Sequence, residues 1–127
     1  MTTENRVRSH EDLFVWQKSI TFVTQIYKMT EKYPTHELYG LTNQIRRAAV
    51  SIPSNIAEGA GRKNTKEFIQ FLYIARGSAS ELETQIIIAK KLGYMNDEES
   101  LISDITIIRK MLNALITSLR KIVNGGY

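Results

Sequence analysis

The 127-residue chain contains no cysteine, which excludes disulfides, thiolate nucleophiles and cysteine-held zinc or iron–sulfur centres. Two prolines and seven glycines are too few for a collagen-like segment, a long flexible linker or a turn-rich β-sandwich. No run approaches the ~18–20 apolar residues that a membrane-spanning helix needs. Residues 1–6 are polar and lack the apolar core of a secretory signal, so the expected location is the cytoplasm, with no membrane partner. Histidine is scarce. His10 and His36 have neither an i+4 histidine nor an acid-x-x-His partner, so the carboxylate–histidine metal site of helical bundles is missing. Both read as exposed or capping side chains. No GxSxG or HExxH motif occurs. Glu81 and Glu83 fall on different faces of one helical segment and cannot form a carboxylate pair there. Gly59-Ala60-Gly61-Arg62-Lys63 resembles a phosphate loop only superficially, because it follows a helical stretch and lacks P-loop spacing. Neither a catalytic residue nor a metal or cofactor site is predicted, and the chain reads as a non-enzyme.

What is present is helix-forming sequence and a localised positive charge. The length suits one domain, 1–127, with one core. The net charge of +4 comes entirely from residues 46–66, where Arg46, Arg47, Arg62, Lys63 and Lys66 face the single acid Glu58; the other bases and acids cancel. That segment is either a solvated basic face or the electrostatic footprint of a polyanion such as RNA or DNA.

Apolar residues recur with helical spacing in four segments, about 11–32, 36–60, 65–92 and 97–123. The first carries Leu13, Trp16, Ile20, Val23 and Tyr27 on one face, with Ser9 and Asp12 as a variant capping box. Tyr33-Pro34-Thr35 ends it, and Thr35 can cap the next. The second carries Leu41, Ile45, Ala49, Ile52 and Ile56, with Pro53 inside the pattern; a kink there is preferred over a full break. Gly59-Ala60-Gly61 is expected to end it through a left-handed glycine cap. The third repeats Phe68, Leu72, Ala75, Ala79, Leu82, Ile86 and Ala89, after a cap at Asn64 or Thr65, and stops at Gly93-Tyr94. The fourth repeats Leu101, Ile105, Ile108, Leu112, Leu115, Leu119 and Ile122, with acids early and bases late, as the helix dipole favours. Four long helices with short connections predict an all-α, antiparallel up-down-up-down four-helix bundle, gently supercoiled.

The apolar surface exceeds one stripe per helix. Phe14, Phe22, Ile26 and Met29 lie outside the first stripe, Ile69, Phe71, Ile87 and Ile88 outside the third, and Ile102, Ile107, Met111 and Ile116 outside the fourth. They either widen the core-facing arc or are buried between copies, which favours a homo-oligomer of closed symmetry. A polar row, Gln44, Ser51, Asn55, Glu58 and Arg62 flanked by Arg47, runs along the second helix among small residues. It is either a solvated edge or a hydrogen-bonded contact with another helix or subunit, with Arg47 and Glu58 as candidate ion-pair members.

The run Gln44-Ile45-Arg46-Arg47-Ala48-Ala49-Val50-Ser51-Ile52-Pro53-Ser54-Asn55-Ile56-Ala57-Glu58-Gly59 resembles the signature of the four-helix-bundle proteins encoded in 23S rRNA intervening sequences. Asp12-Leu13-Phe14-Val15-Trp16-Gln17, the stretch from Tyr33-Pro34 to Glu37-Leu38-Tyr39-Gly40-Leu41, and Phe71-Leu72 through Ala75-Arg76-Gly77-Ser78 to Glu81-Leu82-Glu83 extend the resemblance over nearly all of residues 11–120. It implies a bacterial cytoplasmic bundle assembled as a ring-shaped homopentamer, in a family whose role is poorly established. A similar group of bundles accompanies the reverse transcriptases of diversity-generating retroelements and is associated with nucleic-acid binding. The resemblance therefore adds a partner protein such as a reverse transcriptase to the candidate partners. A fivefold ring would multiply the basic charge of each subunit. The leading expectation is a scaffold whose Arg46, Arg47, Arg62, Lys63 and Lys66 contact phosphates of RNA or DNA. The competing one is an interaction module whose row of Gln44, Arg47, Ser51, Asn55 and Glu58 forms a subunit or partner interface.

Overall fold

A computed structural model describes residues 10–95 and 99–125. Four helices make up nearly all of it: α1 (Phe14–Thr30), α2 (Leu41–Ala60), α3 (Thr65–Lys91) and α4 (Glu99–Val123), with single 3-10 turns at His10–Asp12 and Thr35–Glu37. No strand occurs among the described residues. Each helix packs on its successor, and α1 closes the bundle against α4. Contacts across neighbouring helices reverse in sequence order. Ser51 meets Ser78 while Gly59 meets Phe71 and Phe68, and Arg109 meets Glu83 while Arg76 meets Asn113. That reversal is the pattern of antiparallel neighbours.

The helix ends follow local chemistry. Asn64 caps α3: its Oδ1 accepts from the Glu67 N–H at 2.9 Å, and its Nδ2 donates to Glu67 Oε2 at 2.9 Å. At the other end, the Tyr94 N–H bonds the Ala89 carbonyl and the Gly93 N–H bonds that of Lys90, with Gly93 at φ +82°. This is the Schellman arrangement, which needs a residue tolerant of positive φ. The ends of the first two helices differ from the sequence reading. α1 starts at Phe14, because Leu13 is extended (ψ 124°) and separates it from the preceding 3-10 turn. Ser9 lies outside the described residues, as does the expected start of the fourth helix at Asp97. α2 starts at Leu41 rather than His36, and Glu37 Oε1 reaches forward to accept the Leu41 N–H at 3.1 Å. It then runs unbroken through Pro53.

Gly61 does not use a left-handed cap, since its φ is −85°. The glycine of that segment with a structural reason is Gly59. A Cβ there would lie 2.7 Å from Phe71 Cβ and 2.9 Å from Phe68 Cδ1, so hydrogen at this position allows α3 to pack against α2. Ala48, Ala49, Ala75 and Ala79 are buried as well, and α2–α3 is the most extensive helix pair.

The α1 stripe is the main correction. Its buried residues are Val15, Ser19, Phe22, Ile26 and Thr30, whereas Ile20 and Tyr27 are 38% and 41% exposed. Two hydroxyl residues interrupt the true stripe in sequence, but each satisfies itself within the helix. Ser19 Oγ donates to the Trp16 carbonyl and Thr30 Oγ1 to the Ile26 carbonyl, both at 2.8 Å. In α4 the buried series is Leu101, Ile105, Ile108, Leu112 and Ile116, while Leu115 and Leu119 are half-buried and Ile122 is exposed. A straight helix drifts away from a strict seven-residue repeat, which brings Ile116 into the core.

Candidate nucleic-acid interface

The five bases of residues 46–66 occupy two places. Arg62 and Lys63 follow α2, and Lys66 stands in the first turn of α3, so these three share one end of the bundle. Arg46 and Arg47 lie some four turns back along α2, about 22 Å away at 1.5 Å per residue. Their environments differ as much as their positions. The Arg62 guanidinium pairs with Glu58 at 2.9 Å and Glu67 at 3.9 Å and lies 4.8 Å from the centre of the Phe71 ring. Arg46 is half-buried between helices. Its Nε donates to Thr30 Oγ1 at 2.8 Å, and its guanidinium lies 4.7 Å from the Tyr27 ring centre, which clamps α1 to α2. Arg47, Lys63 and Lys66 are exposed and form no ion pair among the described residues.

A fourth base joins the cationic end. Arg120 of α4 and Lys66 line one cleft of about 510 Å³ with Glu67, Gln70, Tyr73 and Asn124. In sequence, Arg120 reads only as a base complementing the α4 dipole; the fold brings the last turns of α4 beside the first turns of α3. Tyr73 is not an open stacking surface, because the Arg76 guanidinium lies 4.7 Å from its ring centre while donating to Asn113 Oδ1 at 3.0 Å. Phe68 is packed against the core. The cleft therefore offers cations for phosphates and little for bases.

The polar row is used largely within the chain. Ser51 Oγ and Ser78 Oγ are hydrogen-bonded at 2.8 Å, and Asn55 Nδ2 donates to the Ser51 carbonyl at 2.8 Å and to Ser51 Oγ at 2.9 Å. This network joins α2 to α3. Glu58 pairs with Arg62, not with Arg47. Gln44 and Arg47 line a separate polar cleft of about 500 Å³ with Tyr39, Asn43, Ser51, Glu81 and Gln85. Gln85 is only 7% exposed, and its Oε1 has no hydrogen-bond partner.

Perturbed ionisation occurs at the opposite end of the bundle. The Tyr94 hydroxyl donates to Glu37 Oε2 at 2.8 Å; this bond, followed by the Leu41 N–H, holds the Glu37 carboxyl below its ordinary range. The same bond raises Tyr94. Burial pushes Tyr33 up to about 12, with its hydroxyl 3.3 Å from Met95 Sδ. These groups tie the inter-helix connections together. Among the described residues, no group of three or more His, Asp or Glu side chains is arranged to hold a metal ion.

Two apolar grooves lie on different helix pairs. One, of about 460 Å³, runs between α1 and α2 along Trp16, Ile20, Val23, Val50, Pro53 and Ala57. The other, of about 600 Å³, lies between α3 and α4 at Ile87 and Ile102, rimmed by Lys90, Lys91 and Glu99. Among the described residues, no helix is long and apolar enough to cross a membrane.

These features define an all-helical bundle with a cationic end, a polar cleft and two apolar grooves. The chain belongs to the 23S rRNA-intervening sequence protein family, whose model matches residues 11–114. It is similar to a protein of unknown function from the S23 ribosomal protein family of Bacteroides thetaiotaomicron, known from its crystal structure. The two are 29% identical and superpose with a TM-score of 0.75, over 81% of this chain and 95% of the other. No curated protein matches the chain.

Proposed function

We propose that the protein is a non-enzymatic, cytoplasmic helical scaffold that assembles into a homo-oligomeric ring and binds RNA or DNA through the cationic end of each bundle. The observation that carries this reading is the convergence of Arg62, Lys63, Lys66 and Arg120, from the α2–α3 turn, α3 and α4, on one end of the bundle. Arg62 is partly neutralised by Glu58 and Glu67, so Lys63, Lys66 and Arg120 are the main phosphate contacts. Contacts of this kind position a phosphate backbone without reading its sequence. Self-association is supported by the two grooves. If the α1–α2 groove of one copy receives the α3–α4 edge of the next, the contact is heterologous, and such a contact makes a ring when its rotation closes. The pentamer implied by the family resemblance is one such ring, and it repeats the cationic end around a circle, adding avidity.

A second reading, a module that docks a partner protein such as a reverse transcriptase, is favoured by the opposite charges of Arg47 and Glu81 in the polar cleft. The two readings separate in one experiment. Labelled single-stranded RNA and DNA are titrated by fluorescence anisotropy with wild-type protein and with a Lys63→Ala, Lys66→Ala, Arg120→Ala variant, each checked by sedimentation. The scaffold reading expects binding that the variant weakens at unchanged oligomeric state. Absence of binding at low salt would reject it in favour of a protein partner.

A further inference from the structure

The polar cleft between α2 and α3 holds features that phosphate contacts at the cationic end do not explain. Tyr39, just before α2, lines the cleft and is 92% exposed. Arg47 stands on α2 without an ion pair among the described residues. Facing it on α3 are Glu81 and Gln85, one helical turn apart and so side by side. Glu81 also forms no ion pair among the described residues, and Gln85 Oε1 is a buried acceptor with no donor. A buried acceptor left unpaired costs stability, and a ligand donor relieves that cost. The terminal torsion of glutamine is soft, so the amide can turn its oxygen to a donor entering the cleft.

The ligand chemistry follows from this set. Two adjacent acceptors call for two adjacent donors; an exposed ring calls for a flat partner; an unpaired guanidinium calls for an anion. We propose that this cleft binds one unpaired guanine nucleotide of a single-stranded nucleic acid. The N1–H and N2 amino group of guanine present neighbouring donors to Glu81 and Gln85. Adenine and cytosine place a ring acceptor beside their amino group, and uracil flanks its single N–H with carbonyls, so the Glu81 carboxylate repels all three. Tyr39 stacks on the base, Arg47 takes the phosphate, and the amides of Asn43 and Gln44 reach the remaining acceptor edge. The volume of about 500 Å³ lies within the range of small-ligand clefts and accommodates a nucleotide. The inference deepens the nucleic-acid reading and rests on it: the cationic end supplies affinity, and the cleft supplies a base preference.

The test compares two labelled RNA strands by fluorescence anisotropy with the 127-residue protein: an all-uridine strand and the same strand with one central guanosine. The proposal expects the guanosine strand to bind about tenfold more tightly. Glu81→Gln and Tyr39→Ala reduce the ratio of the two affinities to less than about twofold, because Glu81 sets the discrimination and Tyr39 holds the base against it. The Lys63→Ala, Lys66→Ala variant weakens both strands and keeps the preference. Both substituted positions in the cleft are exposed, so folding is retained, and circular dichroism checks it. Equal affinity for the two strands overturns the guanine cleft and leaves the nucleic-acid reading standing. If neither strand binds, the nucleic-acid reading fails, and titration calorimetry with guanosine 5′-monophosphate decides the cleft alone. Saturable heat that Glu81→Gln removes supports it; no heat overturns it. An Arg47→Glu variant that changes oligomeric state without altering base preference identifies the cleft as a subunit contact and also overturns the proposal.

Discussion

Replacing Gly59 and Gly77 by alanine, one at a time, should move stability in opposite directions. Both glycines are helical, and alanine improves helix propensity by up to ~1 kcal/mol at each, less at Gly59 because it sits in the last turn of α2. Their surroundings differ. At Gly77 a Cβ meets nothing within 4 Å, so Gly77→Ala should stabilise by about 0.5–1 kcal/mol. At Gly59 the Cβ would stand 2.7 Å from Phe71 Cβ, 2.9 Å from Phe68 Cδ1 and 3.2 Å from the Phe68 carbonyl oxygen. Carbon atoms prefer about 3.5–4.0 Å, and two of the three neighbours are backbone or a Cβ that moves only with it. The helices must part by several tenths of an ångström or more, which costs about 1–3 kcal/mol in a packed interface. The propensity term largely cancels between the two variants, so their difference in unfolding free energy isolates this overpacking at about 1–3 kcal/mol. Urea titration followed by circular dichroism at 222 nm, at one protein concentration, reads both. Equal shifts for the two variants would refute the close approach of α2 and α3.

Arg46→Ala should destabilise the fold by about 1–2 kcal/mol, through loss of the Thr30 bond and the Tyr27 ring contact, while leaving nucleic-acid affinity within about twofold; urea titration and anisotropy measure the two. Phe22→Ala should cost about 3–5 kcal/mol, and Ile20→Ser within about 1 kcal/mol, since Phe22 is buried and Ile20 half-exposed; the same comparison by sedimentation should show Ile20→Ser weakening self-association. The Glu37 pKa is depressed in the fold, so its contribution is present above its ordinary value of 4.5 and is lost as pH falls through the folded value. Glu37→Gln should therefore flatten the acid limb of urea midpoint against pH. Tyr33 is raised, so its contribution is complete below 10.0 and fades as pH climbs to about 12; Tyr33→Phe should lose less stability over that interval than the wild type does, read by urea midpoint alongside phenolate absorbance.

The third helix was the most legible, because Leu72, Ala75, Ala79, Leu82, Ile86 and Ala89 are both periodic and buried, although Ile69 and Gln85 join them in the core and Phe68 is only half-buried. The first helix was less so. Hydrophobic periodicity cannot tell that Ser19 and Thr30 point inward, because their hydroxyls are satisfied by carbonyls of their own helix, a bond invisible to hydropathy. The consequence is functional: Trp16, Ile20 and Val23, which look like core in sequence, line an open groove with α2. The charged segment at 46–66 was visible as a composition, but not its division into an inward clamp at Arg46, an exposed Arg47 and a cationic end at Lys63 and Lys66. Arg120 belongs to that end by topology alone. Gln85 reads as an ordinary helix former until its packing leaves an acceptor without a donor.

The central claim is that Lys63, Lys66 and Arg120 hold a phosphate backbone, and the salt dependence of binding tests it most directly. For single-stranded RNA, each neutralised phosphate adds about 0.7 to the slope of log affinity against log salt. Removing three contacts should therefore reduce the magnitude of that slope by about 2 in the Lys63→Ala, Lys66→Ala, Arg120→Ala variant, at unchanged oligomeric state. A variant whose slope equals that of the wild type would contradict the account.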